Sequence, residues 1–178
     1  MSIFTDFLEE EIILLVSLPY RVGVWMSQVD DDASTDRDDE REQRALEAVM
    51  KQIAADKKQT PFASAVVQET LTYPDHWAGW GQQIDTLMDD IAKATALIDD
   101  RLPQDNAQNY RKCLLTVASA VAHAYGEFEE AESEEKPSFF GNLMNKISDK
   151  VNVLSDDPDN MSPAEQDAMK KLRTALDA

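Results

Sequence analysis

The chain has 178 residues, enough for one domain with a real core. Its 35 Asp and Glu outweigh 17 Lys and Arg, a formal net charge of −18. Nucleic acid is therefore a poor partner, because a phosphate backbone is held by clusters of bases. The single cysteine, Cys113, excludes an intramolecular disulfide and a thiolate cluster.

Hydrophobic residues make up 43% of the chain, with five glycines and few apolar runs alternating at period two. That pattern predicts an all-α fold, a compact bundle of about seven helices. The first helix is expected over about Phe7 to Val29. It is apolar around most of its circumference, which belongs at the centre of a bundle. Pro19 lies inside it, removes one backbone donor and predicts a kink. The start of the chain has no basic stretch ahead of its apolar run. Ile12 to Leu18 is too short to span a bilayer, so a cytoplasmic protein is expected.

Asp30 to Asp36 reads as an acidic turn. Thr35 or Asp36 caps helix two, whose stripe is Ala45, Leu46, Val49, Met50 and Ile53. Thr60-Pro61 starts a short helix three that ends near Tyr73-Pro74. A long helix four is expected from Asp75 to Pro103, with Trp77, Trp80, Ile84, Leu87, Met88, Ile91 and Ile98 on one face. Helix five spans about Asp105 to Tyr125. Its stripe of Tyr110, Cys113, Leu114, Val117, Ala118, Val121 and Ala122 places it centrally with helix one.

Composition then breaks. Glu127 to Glu135 holds six acids and no base. A sixth helix follows from Ser138, with Phe140, Leu143, Met144, Ile147, Val151 and Leu154 at heptad-like spacing. Lys136 to Leu154 carries three lysines and one acid, Asp149. It is a candidate docking helix for a protein groove or a membrane surface, with Phe139, Phe140, Lys146 and Lys150 as partner-binding candidates. Packing of the same face against the bundle is the plainer alternative. Ser162-Pro163-Ala164-Glu165 combines a capping box with proline at the first helical position and opens helix seven.

The alternating oxygens of Asp30, Asp32, Ser34, Asp36 and Asp38 suggest a hard-cation loop. It departs from the EF-hand at position six, Thr35, and at position twelve, Arg41. Crowded carboxylates repel one another, and a divalent ion relieves this. A solvated cap is the alternative. His76 and His123 lack the Glu-x-x-His spacing of di-iron bundles. No phosphate loop or nucleophile elbow is present, so nothing in the sequence points to an enzyme.

Two stretches share an order of features. Val22 to Val29 leads through Asp30-Asp31 and Asp36 to Glu40 into Ala45-Leu46. Leu114 to Ala124 leads through Tyr125-Gly126 and later Ser162 to Glu165 into Met169 to Leu176. This resembles the tellurite-resistance TerB-like domains, which have two related helical hairpins. Asp31 stands where the family has Gly, Tyr125 stands where it has Asp, and 127–160 would be an insertion in a single domain covering 1–178. The resemblance implies a cytoplasmic stress-response or scaffold module. It also implies divalent-cation binding, with Ca²⁺ as the natural candidate, by acids of both turns: Asp30, Asp39 or Glu40, and Glu165. With the alternating loop, the candidate ligands are Asp30, Asp32, Asp36, Asp39, Glu40 and Glu165. The alternative function is an acidic module, or nucleic-acid mimic, that binds a basic protein without metal.

Overall fold

The computed structural model describes residues 3–29, 36–128 and 161–177, with side chains for all of these except 36–42 and 124–128. Within them lie seven α-helices and no strand: α1 (Glu9–Ser27), α2 (Asp36–Ala55), α3 (Pro61–Thr72), α4 (Trp77–Gly81), α5 (Leu87–Arg101), α6 (Gln104–Phe128) and α7 (Pro163–Leu176). The expected all-helical bundle is correct, and the two helices placed at its centre are the central ones. α1 packs against α2, α3, α4, α5 and α6. Leu15, Leu18 and Val22 of α1 and Tyr110, Leu114 and Val117 of α6 are fully buried.

The long helix expected from Asp75 to Pro103 is in fact broken. A 3₁₀ turn, Pro74–His76, runs into the short α4, and α5 starts afresh at Leu87. The apolar stripe continues across the break, which made it read as one helix. Arg21 holds the break in place, because its Nη2 donates to the carbonyl of Gln83 in the connecting segment. Thr60 starts α3, its hydroxyl accepting the Ala63 N–H at 3.4 Å, with Pro61 at the first helical position. Ser162 and Glu165 form the reciprocal cap of α7, as the sequence indicated.

Pro19 lies within an α1 that stays helical on both sides of it. Proline has no N–H to give the carbonyl four residues earlier, Leu15 O. Tyr110 of α6 donates its hydroxyl to that carbonyl at 2.8 Å. The next carbonyl, Val16 O, takes the Thr70 hydroxyl of α3 at 2.6 Å. Both contacts are buried. A sequence-imposed gap in α1 thereby becomes a tie to two neighbouring helices.

Candidate functional site

Helix directions place the described helix ends that flank the two acidic segments at one end of the bundle. Glu11 of α1 pairs with Arg101 of α5, and Arg21 pairs with Asp90, so α1 and α5 are antiparallel. A two-residue connection turns α5 into α6, so α6 runs parallel to α1. Arg111, early in α6, donates to Leu176 O at the end of α7. The buried face of α7, from Glu165 to Leu176, extends back from that point, so α7 is antiparallel to α6. Gly23 of α1 lies against Leu46 of α2, whose C-terminus joins α3 at the other end. One end of the bundle therefore collects the end of α1, the start of α2, the end of α6 and the start of α7.

Residues 30–42, between and at the start of these helices, hold eight acids against Arg37 and Arg41. Residues 127–160 hold ten acids against Lys136, Lys146 and Lys150. Together they account for thirteen of the eighteen net negative charges. Both segments are anchored at the same end of the bundle.

The connection from α3 to α5 also lies toward this end, against the C-terminal half of α1. Tyr20 of α1 stacks on Trp77 of α4, with centroids 4.9 Å apart. Trp77 donates its indole N–H to Thr70 O at 3.0 Å. The Arg21 side chain is 2% exposed and its Nη2 lies 2.8 Å from Asp90 Oδ2. Thr86 donates its hydroxyl to the same carboxylate at 2.8 Å. Burial raises the Asp90 carboxyl, but hydrogen bonds from Arg21, Thr86 and Lys93 and the Arg21 charge outweigh it and bring it down to about 2. This pair is neutralised and spent on architecture.

The candidate ligands fall unevenly. Asp30 and Asp32 lie outside the described residues. Asp36, Asp39 and Glu40 are in the first turns of α2, with side chains outside the description. Glu165 is buried and accepts the Ser162 N–H at 2.8 Å through one oxygen. No group of three or more His, Cys, Asp or Glu able to hold a metal occurs among the described residues. Phe139, Phe140, Lys146 and Lys150 lie outside the described residues. No described helix is long and apolar enough to cross a membrane.

Other reactive side chains are occupied internally. Cys113 is fully buried, and burial pushes its thiol up to about 12. His123 Nδ1 sits 2.7 Å from Ser119 O, one turn earlier on its own helix, and so carries the proton. The Arg21–Asp90 pair and the donors to Leu15 and Val16 were missed in the sequence. Each had a signal: an arginine inside an apolar stretch needs a buried partner, and a mid-helix proline needs a foreign donor.

No family model matches the chain, and neither a curated protein nor a solved structure shows significant similarity to it.

Proposed function

We propose that this chain is a helical scaffold that presents one acidic end to a basic segment of a partner protein. The observation that carries the reading is the anchoring of the two most acidic segments at a single end of the bundle. Many carboxylates spread over two segments suit a polybasic partner better than a single ion. Such a field steers a basic partner and suppresses acidic ones. Anisotropy of a fluorescein-labelled peptide of alternating arginine and glycine tests it. Binding should be clear at low salt and fall steeply toward physiological ionic strength, where the Debye length is about 8 Å. A peptide that fails to bind at low salt would refute it.

A second reading is divalent-cation binding by a TerB-like module. Its support is the placement of the α2 start and the Glu165 helix start at the same end. Calcium should then raise the melting temperature of the native chain and do so less in Asp30→Asn/Glu40→Gln. Equal shifts in both proteins, or none in either, would remove this reading.

A further inference from the structure

From Gln59 to Ala92 the chain contains no Lys or Arg, while Glu69, Asp75, Asp85 and Asp89 fall within it besides the paired Asp90. In the middle of this stretch is an aromatic corner. Tyr73 is one of four exposed large apolar side chains among the described residues, at 43% exposure. Its ring meets His76 edge-on, with centroids 5.6 Å apart and planes at 77°. His76 in turn lies 5.8 Å from Trp80, which is nearly buried and backs it. Pro74, Asp75, His76, Ala78 and Gly79 are exposed around the rings. A Cβ at Gly79 would meet nothing within 4 Å, so the surface beside the rings is open.

We infer that this corner is the anchor point of the basic partner: a Lys or Arg side chain of a partner protein seats over the Tyr73 and His76 rings, flanked by Glu69 and Asp75. The inference rests on the acidic-scaffold reading above and names where the partner is held. Charge and ring chemistry agree on the occupant. An aromatic face attracts a cation, the flanking carboxylates attract it further, and no lysine or arginine of the surrounding sequence competes in the same stretch. The Glu69 carboxylate, as a hydrogen-bond partner of the Tyr73 hydroxyl and as a charge, raises that hydroxyl above its ordinary value. Aromatic side chains in such settings are the ones that dominate interfaces.

The arginine–glycine peptide serves as the probe, with full-length variants whose melting temperatures match the native chain. Tyr73→Ala/His76→Ala should weaken its binding roughly two- to fivefold, the worth of an exposed cation–ring contact. His76→Ala alone, the fallback if the double variant melts early, should weaken it less, but measurably. Tyr73→Phe keeps the ring and should bind like the native chain. Glu9→Gln/Glu10→Gln, at the opposite end, should also leave binding unchanged. Native-like binding by the double and single variants would overturn the inference while leaving the acidic scaffold standing. Loss in Tyr73→Phe as large as in the double variant would overturn the ring seat. Absence of binding by the native chain would remove both.

Discussion

Tyr110 donates its hydroxyl to Leu15 O at 2.8 Å, which is the carbonyl that Pro19 leaves without its helical donor. The two residues are 95 positions apart in sequence, so a local defect in α1 is repaired by the other central helix. The tyrosine is fully buried, and burial raises its hydroxyl well above the ordinary value, so it remains a donor. Tyr110→Phe keeps the ring and orphans a buried carbonyl. The expected loss is about 1–3 kcal/mol in urea unfolding, and a loss near zero would mean that Leu15 O finds another donor.

The Arg21–Asp90 pair sets an acid limit on stability. Its carboxyl stands at about 2 against an ordinary 3.8, so its contribution is complete above 3.8 and fades as pH falls toward 2. Glu11, lowered by the Leu8 N–H and by Arg101, and Asp99, lowered by Arg111, add to the same loss. Asp90→Asn leaves the Arg21 charge buried with no counter-charge. It should cost on the order of 3 kcal/mol near neutral pH, the low end for a buried pair because Asp90 remains 17% exposed. The gap between native and variant should narrow as pH drops below about 4 in unfolding curves, following the depressed carboxyl. A constant gap would mean that the pairing does not depend on the carboxylate charge.

Gly23 sets the closeness of α1 and α2. A methyl group there would collide with the Leu46 side chain. Gly23→Ala should therefore destabilise the fold by about 1–3 kcal/mol, the usual cost of overpacking. Adding Leu46→Ala should recover part of that loss, giving a favourable coupling in a double-mutant cycle. Strictly additive losses would show that α2 does not rest on Gly23.

Cys113 reports on opening of the core. With the thiol buried and its pKa near 12, alkylation by iodoacetamide should be negligible in the folded chain. It should rise with urea in step with global unfolding. Rapid labelling in native buffer would mean that α6 opens locally.

The central helices were legible because their apolar stripes are long and regular: Ile12 to Met26 in α1 and Tyr110 to Ala122 in α6. The starts of α3 and α7 were legible for local reasons, since Thr60-Pro61 and Ser162-Pro163-Ala164-Glu165 carry their caps in sequence. The break after Gly81 was not. Leu87, Ile91 and Ile98 keep the helical phase of Trp77 and Trp80, and the contact that ties the connecting segment, Arg21 to Gln83 O, comes from some sixty positions away. The candidate site divides the same way. The acidity of each segment is plain in the sequence, whereas the shared position of the helix ends that flank them depends on helix directions fixed by pairs such as Glu11–Arg101 and Arg21–Asp90. Tyr73-Pro74 looks like a helix boundary in the sequence and His76 has no metal-ligand spacing, so their pairing was hidden, because exposure of rings is a tertiary property.

We propose that charge at one end of the bundle, rather than charge in general, makes this chain a binding module. Two variants with the same net charge test it. One carries Asp31, Asp32, Asp38 and Asp39 changed to Asn. The other carries Glu9→Gln, Glu10→Gln, Asp100→Asn and Asp105→Asn at the opposite end. Long-range attraction to an overall negative body would weaken equally in both. The decisive measurement is the affinity of each for the labelled arginine–glycine peptide at an intermediate ionic strength, where the native chain still binds measurably and screening makes position matter. Clear loss is expected in the first variant and near-native affinity in the second. Equal affinities in the two variants would contradict it.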